Sequence, residues 1–126
     1  MDKHKGAVDL GKILVVDDQV GIRMLIQEVL KNEGHEIKTA STGLEAVSLI
    51  QGEHFDTLLL DMQLPGMTGV EILEETKECL QNTKIMMMTA YGEQSLVERA
   101  KSLGVVHFFT KPFNIVELRT TVNNLM

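Results

Sequence analysis

In Leu58-Leu59-Leu60-Asp61-Met62-Gln63-Leu64-Pro65-Gly66-Met67 a wholly apolar run ends in a carboxylate, and Leu-Pro-Gly halts the chain a few residues later. Three consecutive leucines without polar alternation suit a strand covered on both faces, as in the middle of a parallel sheet. Such sheets bind ligands just beyond the carboxyl ends of their strands. Asp61 therefore belongs to a binding edge and not to the core.

Working outward, Lys12-Ile13-Leu14-Val15-Val16-Asp17-Asp18 is a second apolar run closed by acids. Ile22, Leu25, Ile26, Val29 and Leu30 recur at i, i+3, i+4, i+7 and i+8, which predicts one inward helix face, with Gly34 just past its end. Glu36–Ala40 reads as a more polar edge strand. Thr42-Gly43-Leu44-Glu45 and Thr68-Gly69-Val70-Glu71 both have capping-box spacing. The first opens a helix turning Val47 and Ile50 inward; the second opens one burying Ile72, Leu73, Thr76 and Leu80. Lys84–Ala90 is a buried strand rich in Met. A short helix with Leu96, Ala100 and Leu103 inward follows and stops at Gly104. Val105–Thr110 is the last strand and runs into Lys111-Pro112-Phe113. Asn114, with Glu117 three residues on, caps a helix carrying Ile115, Leu118, Val122 and Leu125. Five strands alternating with five helices predict an α/β fold: one parallel sheet with helices on both faces.

Composition narrows the function. A chain of 126 residues has the size of one domain with a sizeable core. Residues 1–11 are expected to form a flexible N-terminal tail, and residues 12–126 one domain with nothing left for an output module. The formal charge of −6 argues against nucleic acid as a partner. No apolar run approaches the roughly 20 residues that span a bilayer, and the first residues lack a signal peptide's apolar stretch. Cys79 is the single cysteine and cannot form an internal disulfide. These features fit a cytoplasmic protein.

Four of the five strands turn polar only at their last residues, and in a parallel sheet those ends share one side. Asp17, Asp18, Asp61, Thr89 and Lys111 are thereby predicted to converge. Three neighbouring carboxylates repel one another unless a cation sits among them. Mg²⁺ suits such a set, since it takes oxygen ligands and commonly bridges carboxylates to phosphate. Lys111 adds a second positive charge, and the Thr89 hydroxyl can donate to an incoming oxygen. A carboxylate so placed can accept a phosphoryl group as an acyl phosphate, its transition-state charge neutralised by metal and ammonium. Asp61 is the expected nucleophile.

From residue 12 onward the chain resembles the receiver domain of bacterial two-component response regulators. The resemblance rests on Val15-Val16-Asp17-Asp18, on Leu59-Leu60-Asp61-Met62 followed by Leu64-Pro65-Gly66-Met67 and Gly69, on Met88-Thr89-Ala90, and on Lys111-Pro112-Phe113. It implies a (βα)5 flavodoxin-like fold of strand order 2-1-3-4-5. It also implies phosphorylation of Asp61 by a sensor histidine kinase, and Mg²⁺ held by Asp17, Asp18, Asp61 and the Gln63 carbonyl. A cis Lys111–Pro112 bond is expected as well. Asp18-Gln19-Val20-Gly21-Ile22-Arg23 and Thr89-Ala90-Tyr91-Gly92-Glu93 are further similar to single-domain regulators that relay phosphate in sporulation initiation. That likeness implies a histidine phosphotransferase as the onward partner, a monomer, and no enzyme beyond assistance to its own phosphorylation and slow dephosphorylation. A diffusible chemotaxis-type regulator that binds its target directly is the alternative.

The resemblance also singles out residues around the site. Thr89 and Phe108 occupy the switch positions, although Phe108 reads equally as a half-buried edge-strand aromatic. Gly21, Ile22, Leu25, Tyr91, Pro112 and Phe113 are expected to meet a partner. For Ile22 and Leu25 the competing reading is core packing, favoured more for Leu25. Val20 and Met24 should be exposed. Gln63 and Tyr91 flank the site, while Met86, Met87 and Met88 read as core filling. The four histidines show no metal-ligand spacing. A non-phosphorylated scaffold is disfavoured by the intact set of five polar residues. An aspartyl-phosphate phosphatase would want an acid where Gln63 stands, and a flavodoxin-like cofactor binder would find Asp17-Asp18 repelling phosphate.

Overall fold

The computed structural model describes residues 10–126. Most of the expected N-terminal tail, residues 1–9, lies outside the described residues. Gly11, assigned to that tail, is tied down: its N–H donates to His35 Nδ1 at 3.2 Å and its carbonyl accepts from the Glu36 N–H at 3.0 Å.

Five parallel strands form the sheet: β1 (Lys12–Val16), β2 (Glu36–Ala40), β3 (Thr57–Asp61), β4 (Lys84–Thr89) and β5 (Val105–Thr110). Their order is β2-β1-β3-β4-β5, so β3 is central and the two least buried strands are edges. Side chains alternate across the pleat. Leu14, Val16, Leu58, Leu60, Ile85, Met87 and Val105 join one core layer, and Ile13, Val15, Leu59, Met86, Met88 and Phe109 join the other. Burial on both faces explains why these strands read as unbroken apolar runs.

The second layer is closed by α1 (Val20–Asn32) and α5 (Ile115–Leu125), the first by α2 (Gly43–Gly52), α3 (Gly69–Thr76) and α4 (Gln94–Ser102). The predicted caps are present. The Thr68 hydroxyl accepts from the Glu71 N–H while the Glu71 carboxylate accepts from the Thr68 N–H, a complete capping box. At α2 the Thr42 hydroxyl caps Glu45, but the Glu45 carboxylate turns to the Ser41 N–H instead. Asn114 Oδ1 accepts from the N–H groups of Val116 and Glu117.

Three local readings change. Leu25 is 47% exposed, so the inward row of α1 runs through Ile26 and Leu30, with Ile22 only half-buried. Leu25 sits one residue, or about 100°, round the helix from Ile26 and faces the rim instead. The third helix is α-helical only to Thr76; Lys77–Leu80 tightens into a 3₁₀ turn, with the Thr76 hydroxyl donating back to the Ile72 carbonyl at 2.7 Å. Between β3 and α3, Gln63–Leu64 pairs antiparallel with Met67–Thr68 around Pro65-Gly66. Gly66 takes φ +77°, as the third residue of a type II turn requires.

Candidate functional site

Every strand of a parallel sheet hands its chain to a loop at the same edge, and here those loops deliver the polar residues together. Asp17 follows β1, and its N–H still pairs with the Ala40 carbonyl of β2 at 3.1 Å. Asp61 is the last residue of β3 and lies opposite Met88. Thr89 ends β4 beside Thr110, and the Lys111 N–H donates to the Thr89 carbonyl at 2.7 Å. The Lys111–Pro112 peptide is cis.

Asp17 is fully buried, Asp61 and Thr89 are each 6% exposed, and Asp18 faces solvent. One ammonium bridges the two buried acids: Lys111 Nζ donates to Asp17 Oδ2 at 2.8 Å and to Asp61 Oδ2 at 3.0 Å. Their other oxygens accept from backbone, Asp17 Oδ1 from the Gln19 N–H at 2.9 Å and Asp61 Oδ1 from the Gln63 N–H at 3.4 Å. Carboxylate oxygens of Asp17, Asp18 and Asp61 lie within 4.8 Å of one another.

The electrostatics follow from burial. Desolvation pushes the Asp61 carboxyl up to about 6, against the hydrogen bond from Lys111 and with help from the Asp17 charge. For Lys111 burial acts downward, but its hydrogen bonds to Asp17 and Asp61 win and raise it. One ammonium thus holds two buried acids and leaves Asp61 short of charge compensation. A hard divalent cation, bound by carboxylate oxygens at an open mouth, meets that need; Mg²⁺ fits the donor set.

Packing fixes the position of Asp61. A Cβ at Gly69 would lie 2.7 Å from the Asp61 carbonyl oxygen and would collide with the Met87 methyl. The Gly69 N–H also donates to the Met62 carbonyl at 2.6 Å. Glycine is therefore required where α3 begins beneath the Asp61 loop.

Of the expected partner residues, Ile22, Leu25, Pro112 and Phe113 line one hollow of about 400 Å³ with Gln19 and Lys111. Gly21 is exposed beside them, and an added Cβ there would meet nothing within 4 Å. Val20 and Met24 are exposed as expected, at 59% and 62%. Tyr91, 96% exposed, stands after β4 and is not part of the hollow. Phe108 is half-buried against the first core layer. Sequence reasoning missed Gln19, whose amide holds Asp17, and Arg23, whose Nη1 donates to the Asp17 carbonyl at 2.7 Å. It also missed the steric role of Gly69. A cation near a helix start was the one available signal for Arg23.

Comparison with known proteins agrees with this geometry. Residues 13–123 match the family described as response regulator receiver domain. Sporulation initiation phosphotransferase F of Bacillus subtilis is 44% identical over 115 residues, covering 91% of this chain and 93% of that protein. Transcriptional regulatory protein TcrA of Mycobacterium tuberculosis is 35% identical, and the match covers 90% of this chain but only 45% of TcrA. Among solved structures, chemotaxis response regulator CheY4 of Vibrio cholerae superposes with TM-score 0.84 at 30% identity, covering 94% of this chain and all of that one. A CheY-like receiver domain protein of Methanospirillum hungatei gives TM-score 0.87 at 30% identity, covering 93% and 94%.

Proposed function

We propose, proceeding from the fact that this chain belongs to the response regulator receiver domain family, that it carries phosphoryl groups on Asp61 as a relay. The donor is a phosphohistidine of a sensor histidine kinase and the acceptor a histidine phosphotransferase, in a pathway of the sporulation-initiation type. The observation that carries this reading is Lys111 bridging buried Asp17 and Asp61 with Asp18 at the mouth.

In the forward step a carboxylate oxygen of Asp61 attacks phosphorus, the P–N bond to the donor imidazole breaks, and the bond pair leaves with the imidazole. Lys111, already 3.0 Å from Asp61 Oδ2, is placed to donate to a transferring oxygen as charge spreads over it. Thr89 offers its hydroxyl to a second oxygen. Bound Mg²⁺, held by Asp17, Asp18, Asp61 and the Gln63 carbonyl, would supply the remaining neutralisation of phosphoryl charge. Thr89 and Phe108 form the switch pair. The chain is a signalling protein that assists transfer to itself and its own slow dephosphorylation.

The hollow beside Lys111 is where the partner docks. Gly21, Ile22, Leu25, Pro112 and Phe113 offer an apolar rim, and Tyr91 extends the contact on the far side. A helix-borne histidine brought against this rim would face Asp61. Gly21 leaves open space that the fold itself does not use, so a partner's backbone can approach closely. The protein works as a cytoplasmic monomer and does not bind nucleic acid; among the described residues no helix is long and apolar enough to cross a membrane.

A second reading, a diffusible regulator that binds its target directly, is favoured by the likeness to CheY4. One mixture separates them. Protein carrying label on Asp61 is combined with a histidine phosphotransferase: transfer of label establishes the relay, and full retention across candidate phosphotransferases refutes it in favour of the direct effector.

A further inference from the structure

We propose that Arg23 is a positioning residue for the Asp17–Asp18 corner and sets magnesium affinity through the backbone without touching the ion. This rests on the metal reading above. Asp17 is held at four points. Its N–H donates to the Ala40 carbonyl, its Oδ1 accepts from Gln19 and its Oδ2 from Lys111. The fourth tie is the 2.7 Å bond from Arg23 Nη1 to its carbonyl oxygen. That carbonyl lies in the rigid peptide plane joining Asp17 to Asp18, so holding it fixes the plane from which Asp18 projects.

Asp18 needs such help more than its neighbours do. Asp17 and Asp61 are buried and bonded on both oxygens, whereas Asp18 is exposed and, among the described residues, its carboxylate accepts no hydrogen bond. Its direction is inherited from its backbone. Residues outside the ligand set that orient ligands commonly change metal affinity by about 10–100-fold when removed.

Helix stability gives no reason for Arg23. It sits in the opening turns of α1, where a cation opposes the helix dipole. The first turn of α1 carries no acid, and Gln19 supplies no side-chain cap. Among the described residues Arg23 makes no ion pair. A local rule broken beside a functional edge points to a role at that edge. A lysine would keep the charge but not the planar, pre-organised donor fork.

The test titrates Mg²⁺ into unmodified protein, Arg23→Met and Arg23→Lys, following backbone amides of Asp18 and Asp61 and the Asp17 carbonyl carbon by NMR. Thermal unfolding in chelator controls for folding. The expected result is an affinity about tenfold weaker in Arg23→Met, a shifted Asp17 carbonyl resonance before metal is added, and only partial recovery in Arg23→Lys. Unchanged affinity in Arg23→Met overturns the proposal. Full recovery in Arg23→Lys with the Asp17 resonance still displaced also overturns it, by assigning the effect to charge. Should Arg23→Met fail to fold, Arg23→Lys decides alone: weakened affinity supports the proposal and native affinity overturns it. Absence of Mg²⁺ binding by unmodified protein would instead bring down the metal reading itself.

Discussion

Asp61→Asn should make the metal-free protein more stable near neutral pH, and the structure gives the size of the gain. Burial raises the Asp61 carboxyl from 3.8 to about 6. A carboxyl raised on folding favours its protonated form in the folded state. Its contribution is therefore fully present below the unfolded value and is lost as pH climbs through about 6. The full shift corresponds to about 3 kcal/mol. The open mouth at Asp18 lets solvent screen part of this, so about 1–2 kcal/mol is the working figure. Asparagine keeps the shape of the protonated acid without its charge, and Lys111 retains Asp17 at 2.8 Å. At roughly 4 °C per kcal/mol for a chain of this size, the variant should melt about 4–8 °C higher at about pH 7 in chelator. Melting followed by far-UV circular dichroism at about pH 7 and about pH 3 measures both ends of the window. The advantage should vanish at the acid end, where Asp61 is protonated in both states. Saturating Mg²⁺ should narrow it at neutral pH by stabilising unmodified protein through binding. An Asn variant no more stable than its parent at neutral pH, or equally favoured at both, would refute the reasoning.

Other substitutions probe separate parts of the account. Lys111→Ala should leave Mg²⁺ binding largely intact while blunting the conformational response to phosphorylation seen by NMR; a collapse of metal affinity would mean that Lys111 has been wrongly placed. Gly69→Ala forces a Cβ against the Asp61 carbonyl and the Met87 methyl. It should cost about 1–3 kcal/mol in urea unfolding and slow phosphorylation, and a neutral result would deny that the α3 start seats Asp61. Thr68→Ala removes the hydroxyl half of the α3 capping box and should cost about 1 kcal/mol by the same assay, with phosphorylation unaffected.

What was legible in the sequence was the part written by solvent exclusion. The strands of a doubly covered sheet must be apolar along their length, so Asp17, Asp61, Thr89 and Lys111 stand out where the apolar runs stop. Parallel topology then puts them on one edge without further information. Helix starts were legible because Thr68 and Asn114 must satisfy orphan amides. Leu25 was misjudged because periodicity marks an apolar face but not where that face meets the rim, and only the packed position of Phe113 and Pro112 shows that it opens on a hollow. The role of Arg23 was invisible for another reason: its acceptor is a backbone carbonyl, which every residue possesses. Gly69 looked like part of a capping signal, and its contact with Asp61 depends on tertiary approach that no local pattern records. The Gln63–Thr68 ladder is too short to impose a period.

The central claim is that Asp61 accepts a phosphoryl group in a pocket built by Asp17, Asp18, Thr89 and Lys111. Intact-mass spectrometry after incubation with acetyl phosphate and Mg²⁺ tests it most directly. One added phosphoryl group is expected, dependent on Mg²⁺ and absent from Asp61→Asn. Undiminished labelling of that variant, or none in the unmodified protein, would contradict it.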